Sequence, residues 1–246
     1  MKSPLAALLC LALAGPAAAD GIGDMTDAER ATFREEVRAY LLENPEVLME
    51  AISVLENREQ QAQAQSDAEL IEQNAAALFD DGQSWVGGNP EGDVTLVEFL
   101  DYRCGYCRRA FPEVNELIES DGNIRFIVKE FPILGEQSVL ASRFAIATQR
   151  VAGDAAYETV HDDLMTMRGE VNEASLQAVA DDHDLDWAAI SAEMEAPEVQ
   201  ARIQESLELG QRMGVSGTPS FVFGDQMLRG YVPLDVMRDI VAEERG

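Results

Sequence analysis

The 246-residue chain carries 46 acidic against 18 basic side chains, a formal net charge of −28. That charge opposes binding to nucleic acid or to an anionic membrane surface, and its simplest physical role is a well-solvated exterior. The length allows one or two domains with a sizeable core, and beyond residues 5–14 no stretch is apolar enough to suggest a membrane span.

Lys2 is followed by the apolar run 5–14 and then by Gly15-Pro16-Ala17-Ala18-Ala19. A basic start, a short apolar region and an Ala-x-Ala end describe a secretory signal peptide. Residues 1–19 are therefore expected to be cleaved near Ala19, with export to the periplasm of a Gram-negative cell. Cleavage removes Cys10 and leaves Cys104 and Cys107. A lone cysteine pair in a compartment where disulfides persist points to redox use.

Residues 20–83 read as a helical oligomerisation segment and linker. Thr26 and Glu29 form a capping box for a helix over 24–44, and Phe33, Val37, Tyr40 and Leu41 recur at helical spacing. Asn44-Pro45 ends this helix, and Pro45 can open a second one with Val47, Leu48, Ala51, Ile52 and Leu55 on one face. Residues 56–69, rich in Gln, Ala and Glu, are helical if supported and otherwise a flexible spacer. Ile71, Ala75 and Leu78 restore a weak stripe. Narrow apolar stripes with no evident partner in the chain predict self-association.

Residues 84–90 form a turn-rich lead-in with Gly87-Gly88-Asn89-Pro90. Residues 93–100 are nearly continuous in apolar residues, as in a buried central strand. Glu98 interrupts the run, and an acid there is costly unless paired or neutral. Cys104-Gly105-Tyr106-Cys107 stands where this strand pattern gives way to a helix pattern over 108–119. The first sulfur then lies at a helix N-terminus, where unpaired N–H groups and the helix dipole favour a thiolate. The second lies one turn on, an arrangement suited to thiol–disulfide exchange. A zinc site needs two further ligands, and only His161 and His183 offer nitrogen. Both stand among acidic residues and read as surface side chains, so neither metal nor cofactor is expected.

A strand over 123–129 implies a right-handed parallel crossover. Residues 137–196 read as a helical insertion, with helices near 138–150, 155–167, 173–182 and 186–196, and another helix follows over 197–213. Pro219 precedes a strand and fits a cis peptide with Thr218. Strands 220–223 and 227–230 flank Gly224-Asp225-Gln226 as a hairpin, and a helix over 233–244 closes the chain.

Three stretches carry a family resemblance: Phe99-Leu100-Asp101-Tyr102-Arg103-Cys104-Gly105-Tyr106-Cys107, Lys129-Glu130-Phe131-Pro132-Ile133-Leu134-Gly135, and Gly214-Val215-Ser216-Gly217-Thr218-Pro219-Ser220-Phe221. Together they resemble the DsbA family of thioredoxin-fold thiol–disulfide oxidoreductases. The resemblance implies an α/β thioredoxin fold over 84–246 with the helical insertion at about 137–196. It implies Cys104 as the nucleophile and Cys107 as the resolving, more buried sulfur. Thr218 and Pro219 would face the cysteines, leaving the Thr218 backbone free for an extended substrate. Glu98 and Lys129 would lie beneath the second cysteine, where a carboxylate can relay a proton.

Residues 38–48 are similar to the N-terminal segment of suppressor-of-copper-sensitivity C proteins, an oligomerisation element in that group. This implies an exported disulfide isomerase, with a trimer favoured. Its substrates would be misfolded or cysteine-containing secreted proteins, and a membrane redox partner would reset it. Gly-Tyr replaces the Pro-His of the archetypal oxidase, which removes one source of thiolate stabilisation. The alternatives are a disulfide-donating oxidase, or a copper-tolerance protein binding copper(I) through the same thiolates.

Overall fold

The computed structural model describes residues 25–246, so the signal peptide read at 1–19 and Cys10 lie outside the described residues. Two compact units divide between Glu59 and Gln60. No helix among the described residues is long and apolar enough to cross a membrane.

In the first unit, α1 (Asp27–Glu43) opens with the expected capping box: Thr26 accepts from the Glu29 N–H, and the Glu29 carboxylate accepts from the Thr26 N–H. Asn44 ends the helix with its N–H on the Tyr40 carbonyl. No residue of α1 is buried. Phe33, Val37, Leu41, Leu42 and Leu48 line an apolar groove. Tyr40, Met49, Ile52 and Leu55 are exposed as well.

The following helix, α2 (Glu46–Phe79), runs without interruption, so residues 56–69 are helical and not an open spacer. The stretch has no Gly or Pro and consists mainly of strong helix formers. It also continues a helix already nucleated, which removes the cost of a separate start.

The second unit begins at Gln60, earlier than the expected boundary at 84. Asp67, Ile71 and Leu78 on the later turns of α2 are buried. Asp67 forms a bidentate pair with Arg229 at 2.8 and 2.7 Å. Ile71 and Leu78 join a core cluster with Val97, Phe99, Ile127 and Phe131.

A five-stranded sheet organises this unit in the order β1-β3-β2-β4-β5. Its strands are β1 (Trp85–Gly88), β2 (Val94–Leu100), β3 (Ile124–Glu130), β4 (Ser220–Phe223) and β5 (Gln226–Arg229). The β2–β3 pair is parallel, as the crossover requires, and the other pairings are antiparallel. β1 occupies the stretch read as a turn-rich lead-in. Gly87 makes this strand possible, because a Cβ there would collide with the Trp85 indole lying over it. The indole stacks on Tyr157 and meets Phe126 edge-on.

Helix α3 (Gly105–Asp121) links β2 to β3. The insertion supplies α4 (Glu136–Ala152), α5 (Asp154–Thr166), α6 (Glu173–Asp182) and α7 (Trp187–Glu193), and α8 (Pro197–Arg212) returns to the sheet. α9 (Leu234–Arg245) closes the chain. Alternation along β2 divides the core: Leu96 and Leu100 face the cluster containing Cys107 and Val114, whereas Val97 and Phe99 face the α2 side.

Candidate active site

Cys104 is the N-cap of α3, with extended backbone at φ −74° and ψ 119°. The turn before it is closed by the Cys104 N–H on the Asp101 carbonyl at 2.9 Å. Asp101 is wholly buried and acts as a second brace. Its Oδ1 accepts from the Arg103 N–H at 2.8 Å, and its Oδ2 accepts from the N–H groups of Ile133 and Leu134 at 2.8 and 3.0 Å. Arg108 holds the other side, donating from Nε to the Tyr102 carbonyl at 2.8 Å and from Nη1 to the Met167 carbonyl at 2.7 Å. These braces fix the sulfur against the start of a helix.

Cys104 is 7% exposed and Cys107 fully buried. Cys104 is the more accessible of the two, although less open than expected. Its sulfur lies 3.1 Å from the Thr218 carbonyl oxygen. The Thr218–Pro219 peptide is cis. The Cys104 thiol is drawn down to about 5, chiefly by a hydrogen bond from Cys107, with further help from Thr218 and the backbone N–H groups of Cys107 and Tyr106. Burial pushes the Cys107 thiol far above the ordinary range, and both its bond to Cys104 and the Glu98 charge push in the same direction. The two sulfurs are thereby divided into a thiolate and a thiol.

Glu98 stands on the cysteine side of β2, 2% exposed, and its Oε1 has no hydrogen-bond partner. Burial, and then the charge on Cys104, raise its carboxyl to about 8. It is thus protonated in the folded protein at neutral pH and ionised in the unfolded chain above about 4.5. Unfolding releases that proton, so the contribution of Glu98 to stability falls as pH rises from about 4.5 to about 8. The slope is about 1.4 kcal/mol per pH unit. Glu98→Gln should remove it, giving a variant that melts higher than the parent at pH 8 and about equally at pH 4. Parallel pH dependence of the two melting temperatures would contradict this.

Lys129 does not join the site. It pairs in register with Phe99 and so faces the other side of the sheet from Glu98, whose partner is Val128. Its ammonium donates to the Ala77 carbonyl at 2.7 Å, Asp81 Oδ2 at 2.7 Å and Ser84 Oγ at 3.0 Å. Burial opposes ionisation of Asp81, but Lys129 and Ser84 outweigh it and hold the carboxyl at about 2. Sequence adjacency of strands brought Glu98 and Lys129 together, and one residue of offset separates them.

His161 is buried, not a surface residue. Its Nδ1 lies 3.1 Å from the Tyr102 hydroxyl, and its ring stacks on Trp85 and Tyr157. It lies four residues after Tyr157 and three before Leu164, on the buried stripe of α5, a signal outweighed by the adjacent aspartates. Burial lowers it to about 4, so it is neutral. His183 is partly exposed and pairs with Asp163 at 2.6 Å. Among the described residues no group of three or more His, Cys, Asp and Glu is placed to hold a metal ion. Sequence reasoning did not assign roles to Asp101, Arg108 or Glu130, because their importance comes from partners distant along the chain.

A dithiol at the start of a helix, beside a cis-proline loop on this sheet, defines a thioredoxin-fold redox protein. Residues 95–242 match the DSBA-like thioredoxin domain family, and the chain belongs to that family. Residues 29–62 match the copper resistance protein ScsC N-terminal domain. Three solved structures show the relationship. A thioredoxin-like oxidoreductase from Silicibacter pomeroyi is 45% identical, with a TM-score of 0.65, over 69% of this chain and 96% of that one. BcfH from Salmonella enterica Typhimurium is 30% identical, with a TM-score of 0.71, over 89% and 97%. ScsC from Proteus mirabilis in a transitional conformation is 28% identical, with a TM-score of 0.64, over 89% and 98%. Among curated proteins, the Na(+)/H(+) antiporter NhaA 1 of Salinispora arenicola is 30% identical over 64% of this chain, which spans only 24% of that relative's length.

Proposed function

We propose that this protein is an exported thiol–disulfide oxidoreductase of the DsbA/ScsC type that works as a disulfide isomerase on secreted proteins. The observation that carries the reading is the division of the cysteine pair into an ionised Cys104 at the start of α3, beside the cis-proline loop, and a protonated, fully buried Cys107. The Cys104 thiolate attacks a substrate disulfide, forming a mixed disulfide and expelling the other substrate sulfur as a thiolate. That thiolate can attack a second disulfide in the substrate, and the sulfur displaced there then attacks the mixed disulfide and releases Cys104 as a thiolate, which completes an isomerisation without net redox change. Alternatively Cys107 gives up its proton, attacks Cys104 and frees a reduced substrate, leaving a Cys104–Cys107 disulfide for a membrane partner to reduce. Glu98 is the group we assign to taking that proton, once the Cys104 charge that helps keep it protonated is lost in the mixed disulfide, and Thr218 and Pro219 form the wall against which the substrate chain lies.

The uncovered stripe on α1 and early α2 supports assembly through 25–59 into a small closed ring, and the resemblance of residues 38–48 to suppressor-of-copper-sensitivity C proteins favours three copies over two. Several sites held around one client raise the effective concentration of thiolate, which benefits isomerisation more than simple reduction. The leader pattern at 1–19 supports the periplasm as the place of work.

The test is reactivation of scrambled ribonuclease with light scattering on the same sample. The intact protein should scatter as a trimer and restore ribonuclease activity, and Cys104→Ala should remove that activity while leaving the assembly intact. A monomer, or a Cys104→Ala variant that still isomerises, would sink the reading. A disulfide-donating oxidase is favoured by the low Cys104 value alone, since a stabilised thiolate makes the disulfide a stronger oxidant. Copper(I) handling is favoured by the ScsC match and the paired soft sulfurs. Thiol trapping in cells separates oxidase from isomerase, and titration of the reduced protein with copper(I) against a chelator tests the metal.

A further inference from the structure

Glu130, the last residue of β3, takes no part in the exchange chemistry, yet its buried carboxylate receives three hydroxyl donors. Oε1 accepts from Tyr102 at 2.8 Å and from Tyr157 at 2.6 Å, and Oε2 accepts from Ser142 at 2.7 Å. The donors come from the loop before Cys104, from α5 and from α4. Tyr102 has one hydroxyl proton and gives it to Glu130, so its oxygen accepts from His161 Nδ1–H. Burial pushes Glu130 up to about 6, with the three hydroxyls pulling against it.

The backbone of Tyr102 belongs to the turn that delivers the nucleophile. Its carbonyl accepts from Arg108, and the turn closes with the Cys104 N–H on the Asp101 carbonyl. Tyr102 is therefore anchored at both ends, two residues before the reactive sulfur. We propose that Glu130 is a positioning residue for the redox turn, holding it through the Tyr102 hydroxyl so that the Cys104 sulfur stays at the start of α3 and against the Thr218–Pro219 loop. This rests on Cys104 being the attacking sulfur, as proposed above. It is read on the thiolate itself, so it stands or fails independently of turnover and of the isomerase assignment.

Two tyrosines donate to the same carboxylate oxygen, and only one of them lies on the turn. Tyr102→Phe and Tyr157→Phe each remove one donor and keep the ring, so both should lower the melting temperature. The thiolate midpoint of reduced protein is then followed by absorbance at 240 nm, well below either melting temperature. Tyr102→Phe should raise the midpoint by about half a unit, the equivalent of one hydrogen bond lost at the turn. Tyr157→Phe should leave it in place. Equal shifts in both variants, no shift in either, or a fall on Tyr102→Phe would overturn the proposal. Glu130→Gln, which retains an acceptor for the tyrosines, should stay closer to the parent midpoint than Glu130→Leu. If both instead lower the midpoint, Glu130 acts by its charge and not by position. Should Glu130→Leu fail to fold, the tyrosine pair decides alone.

Discussion

A chain that starts at residue 83 should fail to fold, whereas one that starts at residue 60 should fold and keep its reactive thiol. The reason lies in the later turns of α2, which the sequence reading had assigned to a segment outside the catalytic domain. Leu78 is fully buried and Ile71 nearly so, both in the cluster with Val97, Phe99, Ile127 and Phe131. Losing one such side chain costs about 2–5 kcal/mol. The same cut removes the Ala77 carbonyl and the Asp81 carboxylate from Lys129, whose side chain is 1% exposed. Leaving a buried charge without its partner costs about 3–5 kcal/mol. It also removes Asp67, the partner of Arg229. These losses together match the whole stability of an ordinary domain, about 5–15 kcal/mol. Starting at residue 60 removes none of them. Circular dichroism melts of the two shortened chains provide the comparison, and a cooperative melt from the chain starting at 83 would refute the assignment.

Alkylation of the reduced protein near pH 6 should modify Cys104 at least about 100-fold faster than Cys107. Cys104, held at about 5, is then mostly thiolate. Cys107 is driven far above the ordinary thiol range, chiefly by burial and by its bond to Cys104, so its thiolate fraction is negligible. A low value also weakens intrinsic nucleophilicity, but only by about half of what ionisation gains. Access acts in the same direction, since Cys107 is the more buried sulfur. Peptide mapping after timed iodoacetamide treatment reads the ratio, and the rate plotted against pH should rise with a midpoint near 5. Comparable labelling of both residues, or a midpoint near 9, would remove the basis for the assigned roles. A confirmed midpoint would also show that the helix start and Cys107 depress the thiol without a histidine between the cysteines.

The Cys-x-x-Cys at a strand-to-helix junction, the capping box at Thr26, the parallel crossover and the hairpin at 220–229 were legible in the sequence. Each rests on residues close together in the chain, where periodicity, caps and turn residues act locally. Glu98 was legible as an anomaly, an acid inside an apolar strand. Its position beside the cysteines follows from alternation along β2 once the strand is placed.

Other features depended on contacts that no local pattern encodes. Residues 84–90 look like a loop, but Trp85 seats its indole over Gly87 and the segment pairs with β3 as an edge strand. Residues 56–69 lack a stripe of their own, but continue a helix that has already started. His161 sits among aspartates in sequence, but its ring points to an aromatic cluster contributed by Trp85, Tyr102 and Tyr157. Lys129 was matched with Glu98, but the register assigns it to Asp81, 48 residues upstream. Apart from the edge strand β1, sequence determined which segments become helix or strand and which thiol meets a helix start, because those are properties of neighbouring residues. Tertiary structure decided which buried charges are paired, since a buried charge takes whatever partner the packing of distant segments brings within hydrogen-bond reach.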